Sequence, residues 1–174
     1  MVELVNGRGQ LGDKLKSLKD IETTQKVFIY HTWKVPHLYD PKDKEEEIQN
    51  NEYHKFKKFI NETKTTHPNS RIIFISTNSQ RSTFYTYYKE LAESYLILNY
   101  SNSYILKFPL FIGKGVLEKI KKGELNPYGV MEIITLDKVI EEIKTCISRT
   151  GKKRIFTIEG EKIKAETVAE ILKV

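Results

Sequence analysis

The apolar positions along the chain change period several times, and each change marks an element. RIIFIS (71–76) and VFIYH (27–31) are continuous apolar runs of strand length, the pattern of strands buried on both faces. Residues 1–5, 104–108, 131–134 and 154–158 read as further strands. Between them apolar residues recur at helical spacing. Leu11, Leu15 and Leu18 make one stripe, and Ile48, Phe56, Phe59 and Ile60 make another in a helix predicted over 45–63. Residues 84–98, 136–147 and 165–172 predict three more helices, and 115–122 a short one closed by Gly123. Pro36 and Pro41 place 34–44 in a loop, and HPNS (67–70) is a turn. Strands alternating with helices predict a mainly parallel sheet covered on both faces, in a single domain spanning 1–174.

Composition narrows the picture. The chain has 174 residues, 39% hydrophobic and 30% charged, as expected of a globular protein with one core. No apolar run approaches the ~20 residues of a membrane span, and MVELVNGRG lacks the pattern of a secretory signal. A single cysteine, Cys146, excludes an internal disulfide, fits a reducing cytoplasm and reads as a semi-buried helix residue. The net charge of +6 comes from lysines interleaved with glutamates, not from a compact basic block, so no nucleic-acid face is expected. His31, His37, His54 and His67 have no metal-ligand spacing, and no metal is expected. Trp33 reads as a core or rim aromatic.

Two motifs carry candidate chemistry. Gly7-Arg8-Gly9-Gln10-Leu11-Gly12 is G-x-G-x-x-G between a predicted strand and a predicted helix. That context suits a pyrophosphate approached by backbone at a helix N-terminus, although a plain glycine turn has the same pattern. The acidic residue that normally binds a ribose at the end of the next strand is missing, since VFIYH ends in His31. Arg8 could meet a 2′-phosphate, or be a solvated surface arginine. The second motif is Tyr85-x-x-x-Lys89, which follows RIIFIS and a Ser76-Thr77 pair. The i, i+4 spacing stacks phenol and ammonium on one helical face, where the ammonium would lower the phenol pKa for proton exchange. Tyr87 and Tyr88 lack a lysine at i+4.

In order along the chain, these pieces resemble the extended short-chain dehydrogenase/reductases, which act on nucleotide sugars as epimerases, reductases and dehydratases. GRGQLG looks like the family's cofactor loop, and VFIYHTW like its fourth strand. Asn51 in QNNEYHKFKKFI sits where the family has the asparagine of N-V-x-G-T. RIIFIST resembles the strand bearing the catalytic Ser/Thr, and YTYYKELAE is similar to Y-G-x-S-K-x-x-A-E. FPLFIGKG looks like R-P-x-N-V-Y-G-P-G, EIITLDKVIEEI like F-x-Y-V-D-D-V-A-x-A-I, and RIFTIEG like the late V-Y-N-I-G-G strand.

The resemblance implies roles. Tyr85 would be the acid/base, and Lys89 would tune it and hold the nicotinamide ribose. Thr77, or failing that Ser76, would hydrogen-bond the substrate oxygen, and Asn51 would order a contact near Lys89. NAD or NADP would lie on Gly7, Arg8, Gly9, Gln10, Leu11, Gly12 and His31, together with Lys89. A nucleotide sugar would meet Ser76, Asn78 and Phe108. A homodimer would form through the helices bearing Asn51 and Tyr85, burying the surplus apolar residues Tyr53, Phe56, Phe59, Tyr87, Leu91 and Tyr95.

Departures shape the expected fold. Only one helix fits between the glycine loop and VFIYH, so the second and third strands are lost, including the one that carries the ribose carboxylate. Thr77 and Tyr85 stand eight positions apart, closer than in the family, and the segment after Gly115 is short. Asn78 and Ser79 follow Thr77 where dehydratases have an acidic pair, which argues against dehydration. The expectation is a shortened Rossmann-like domain with a small substrate-side extension over 109–174. Its function is expected to be NAD(P)-dependent oxidation–reduction or epimerisation of a nucleotide sugar. The alternative is a degenerate, non-catalytic relative that binds a nucleotide or a partner.

Overall fold

The computed structural model describes residues 1–5, 9–34, 42–112, 118, 120–123 and 129–171. The order is β1 (Val2–Val5), α1 (Gly9–Leu15) with a 3-10 turn (Lys16–Leu18), β2 (Val27–Tyr30), α2 (Lys42–Thr66), β3 (Arg71–Thr77), α3 (Phe84–Asn99) and β4 (Ser103–Phe108). Then follow β5 (Leu110–Ile112), β6 (Val130–Thr135), α4 (Leu136–Ser148), β7 (Ile155–Thr157), β8 (Glu161–Lys164) and α5 (Ala165–Ile171). Half of the expected helix at 115–122 lies outside the described residues, as do Gly7 and Arg8.

β1, β2, β3, β4 and β7 form one wholly parallel sheet in that order, so the fold is Rossmann-like. Alternation along each strand divides the core in two. Val27, Ile29, Ile73, Ile75 and Leu106 face Leu15 and Leu18 and the α4 residues Val139, Ile140 and Ile143. Phe28, Tyr30, Ile72, Phe74 and Ile105 face Phe56 and Ile60 of α2 and Ala92 and Leu96 of α3. Rings dominate this second layer, with Phe56 and Phe74 centroids 4.6 Å apart.

β1 pairs directly with β2, Val2 opposite Val27, so no strand stands between them. The three steps β1→β2, β2→β3 and β3→β4 each move one place in the same direction. Yet α1 covers one face, while α2 and α3 cover the other. The β1–α1–β2 crossover therefore has the opposite hand to the next two. A parallel crossover is right-handed in about 98% of cases, which assigns the right hand to β2–α2–β3 and β3–α3–β4 and the left hand to β1–α1–β2. Loss of the second and third strands explains it. In the full strand order 3-2-1-4-5-6 the chain leaves strand 1 on one side and returns on the other. Excising the outward excursion joins the first helix straight to strand 4, with inverted hand.

A smaller sheet, β5-β6-β8, pairs β5 with β6 in parallel and β6 with β8 antiparallel. β5 and β8 were not expected from the sequence. β5 is three residues behind Pro109, and β8 is the charged EKIK, with too little apolar character to read as buried. The two sheets meet tightly at Gly160, where a Cβ would overlap the Ile133 carbonyl oxygen and lie 2.8 Å from the Pro109 ring. Among the described residues, no helix is long and apolar enough to cross a membrane.

Candidate active site

The C-terminal ends of the parallel strands form one edge, and the candidate residues collect along it. The connection after β1 runs to the α1 face and that after β2 to the α2 face. Adjacent strands whose helices lie on opposite faces make a topological switch point, where open α/β sheets generally have the crevice that takes their ligands. Gly9 opens α1 at this switch point with φ +72°, in the left-handed region, and among the described residues nothing lies within 4 Å of where its Cβ would be. Gly12 is buried in α1, Leu11 packs against the core, and Gln10 is exposed. His31, half-buried, follows β2 on the other side of the crevice.

Thr77 ends β3 and is half-buried. Its Oγ1 accepts from the Ser79 amide at 3.1 Å, which leaves the hydroxyl proton free to be donated. Asn78 is tied to the end of β4 by its amide, which donates to the Phe108 carbonyl at 3.0 Å. Thr83 then caps α3, with a reciprocal box to Thr86, and Tyr85 falls in the first turn. Six residues, 78–83, join the end of β3 to the start of α3.

Lys89 lies one turn beyond Tyr85 and is 3% exposed, a buried ammonium that needs partners. Nζ donates to the Ile75 carbonyl at 2.8 Å. It sits 4.7 Å from the Phe74 ring centroid, 4.9 Å from that of Trp33 and 5.8 Å from that of Tyr85. Burial pulls its pKa down to about 7, opposed by the carboxylates of Glu93 and Glu52. Burial likewise pushes the Tyr85 phenol up to about 12. This corrects the expectation that Lys89 would lower the phenol: desolvation of the ring outweighs the neighbouring amine.

Other candidates are placed differently from expectation. Asn51 is on the exposed side of α2. The inward positions are Gln49 and Glu52, which hold the segment after β2: Trp33 Nε1 donates to Gln49 Oε1 at 2.7 Å, and Lys34 N to Glu52 Oε2 at 3.3 Å. Ser76 is buried and donates to Glu93 Oε1 at 2.5 Å, while Lys107 Nζ reaches Glu93 Oε2 at 3.0 Å. Its hydroxyl is engaged in that ion network, and Thr77 is the better-placed partner for a ligand. Phe108 is 1% exposed, so its side chain belongs to the core and only its carbonyl works at the strand end.

One carboxylate at this edge was missed. Glu132, on β6, accepts from the Gly160 amide at 2.8 Å and from Asn78 Nδ2 at 3.4 Å. A charged residue in the strand-like patch 131–134 was the only sequence signal for it. Among the described residues, no group of three or more His, Cys, Asp or Glu could hold a metal ion.

No protein-family model matches the chain. No curated protein sequence matches it either. Solved structures do. WbmG of Bordetella bronchiseptica, crystallised with NAD, superposes with a TM-score of 0.70 at 11% identity over 98% of this chain and 76% of its own. The dTDP-4-dehydrorhamnose reductase of Bacillus anthracis, crystallised with NADP, gives 0.70 at 10% identity over 98% and 79%. The UDP-N-acetylglucosamine 4-epimerase of Bacillus cereus gives 0.68 at 13% identity over 97% and 81%. The chain has the Rossmann-like fold of these three proteins, on a shorter length.

Proposed function

We propose that this protein is an NAD(P)-dependent oxidoreductase or epimerase-like enzyme of nucleotide sugars, working through Thr77, Tyr85 and Lys89. The observation that carries the reading is their placement. Thr77 ends the third strand of the parallel sheet, Tyr85 opens the following helix, and the Lys89 amine stands 5.8 Å from the Tyr85 ring. Solved structures of the same fold hold NAD, with UDP in one case, or NADP.

The pyrophosphate of a dinucleotide would lie at the switch point between β1 and β2. Gly9 has the positive φ of a tight turn and open space where a side chain would intrude. Arg8 and Gly7 belong to the same proposed contact. β1 is the edge of the main sheet among the described residues, so no further strand offers an adenosine-ribose carboxylate there. Weak affinity follows. The nicotinamide, when bound, would supply or accept the hydride.

The residues themselves define the proton chemistry. With its phenol at about 12, Tyr85 is protonated at neutral pH. At rest it is a proton donor, the form that reduction of a sugar carbonyl uses. The free Thr77 hydroxyl proton donates to the same oxygen. Lys89 uses one of its three N–H groups on Ile75 and keeps two for a ribose or for the phenolate left behind. Turnover in the reducing direction therefore falls as pH rises through about 7, where the Lys89 ammonium is lost.

The test is Tyr85→Phe, which removes the proton and keeps the ring. Against a panel of 4-keto and 4-hydroxy nucleotide sugars it lowers turnover by roughly 10² to 10⁴ with unchanged stability. Turnover at the wild-type rate would contradict the assignment. A second reading is a non-catalytic nucleotide-binding subunit. The lost strands favour it, because they would carry half of a dinucleotide site. It expects binding without turnover, and Tyr85→Phe without effect. Under either reading we place the protein in the cytoplasm as a homodimer joined through α2 and α3.

A further inference from the structure

We propose that Glu132 is a positioning residue of the candidate site: it fixes the Asn78 amide so that Asn78 Oδ1 accepts a hydroxyl of the sugar moiety. The inference rests on the reading of the strand ends as a nucleotide-sugar site. A carboxylate only accepts, so its contact with Asn78 sets which end of the amide faces it. Nδ2 is turned to Glu132 Oε2, 3.4 Å away. The acceptor oxygen of Asn78 is thereby left for another donor, one residue from the Thr77 hydroxyl. The Asn78 main chain is held as well, its amide donating to the Phe108 carbonyl at 3.0 Å.

Glu132 cannot swing away easily. Its other oxygen accepts from the Gly160 amide at 2.8 Å. Gly160 itself is wedged where a Cβ would overlap the Ile133 carbonyl oxygen and lie 2.8 Å from Pro109. The small sheet thus acts through one carboxylate on the loop that carries Thr77 and Asn78. Two neighbouring polar groups are then offered together: a hydroxyl that donates and an amide oxygen that accepts. That pair suits a sugar with a hydroxyl beside its reacting carbonyl.

The experiment compares UDP-N-acetylglucosamine with UDP by calorimetry. Glu132→Gln keeps the bond from Gly160 through its amide oxygen but turns an NH₂ toward Asn78, which reverses the Asn78 amide. Wild type binds the sugar nucleotide more tightly than UDP. Glu132→Gln loses about fivefold in affinity for the sugar nucleotide, the scale of one hydrogen bond, and none for UDP. Asn78→Asp/Glu132→Gln restores a donor–acceptor pair with an oxygen facing outward and recovers the loss. A purely structural role predicts no such rescue. Asn78→Ala leaves the Gly160 contact untouched and gives the same fivefold loss, so the test stands even where the Glu132→Gln variant folds poorly. Wild-type preference for the sugar nucleotide that survives both Glu132→Gln and Asn78→Ala overturns the role of Glu132 alone. Wild type that binds neither compound overturns the site reading with it.

Discussion

Lys89 occupies a position that a charged side chain rarely tolerates, under Phe74 and Trp33 with one carbonyl as its hydrogen-bond acceptor. Its folded pKa of about 7 lies below its ordinary 10.5. Between these values the unfolded chain holds a proton that the folded chain lacks, so stability rises with pH across that window. Lys89→Met removes this contribution. Denaturant unfolding should therefore show the stability difference, wild type minus variant, moving in favour of the wild type from about pH 7 to about pH 10. A constant difference would contradict a neutralised amine. At this scale the sequence was partly legible. The Tyr85 and Lys89 spacing on one helix was read correctly, but the sign of the phenol shift was not, because burial is a tertiary property. Asn51 was placed by motif alignment. The helical stripe of Phe56 and Ile60, extended backward by four and seven residues, reaches Glu52 and Gln49 instead. Asn51 lies roughly 200° around from Gln49 at 100° per residue.

Two arginines close helix ends at element scale. Arg71 Nη1 donates to the Cys146 and Ile147 carbonyls at the end of α4. Arg154 serves the end of α3, donating to Ile97 O at 3.0 Å, to Ser103 O at 3.1 Å and to Tyr100 O. Helix ends leave carbonyls without intrahelical partners, and each one stranded in the interior costs about 1–3 kcal/mol. Arg154→Met should destabilise the fold by roughly 2–4 kcal/mol in urea unfolding, with unchanged m-value. A loss under about 0.5 kcal/mol, typical of a surface change, would show that solvent satisfies these carbonyls. The central strands β2 and β3 were legible because they are buried on both faces and therefore read as apolar runs. The small sheet was not. Its residues are half-exposed, and β8 is held by pairing with β6 rather than by composition. The inverted β1–α1–β2 crossover was also beyond the sequence, which showed missing length but not on which side of the sheet the chain rejoined.

The outer faces of α2 and α3 bear on the assembly of the whole molecule. Tyr53, Tyr88 and Tyr95 form a ring cluster there, with Tyr53 centroids 6.1 Å and 6.4 Å from the other two. On α3, Tyr87 is 56% exposed and Leu98 84%. The proposed dimer pairs this surface with its copy about a two-fold axis. Light scattering should give a dimer mass, and Tyr87→Glu should raise the dimer dissociation constant at least about tenfold, one buried aromatic exchanged for a charge. A monomer mass for wild type at high concentration would contradict the proposed assembly.

The fold likeness at 10–13% identity leaves the dinucleotide crevice as the point on which the functional reading turns. The direct measurement is titration calorimetry of NADH and NADPH into wild type and Gly9→Val, with thermal melts confirming that both are folded. A valine at φ +72° fills the open space at the crevice and blocks backbone approach to the pyrophosphate. The reading predicts weak, saturable binding of at least one of the two by wild type, lost in Gly9→Val. Equal binding by both proteins, or none by wild type, would contradict it.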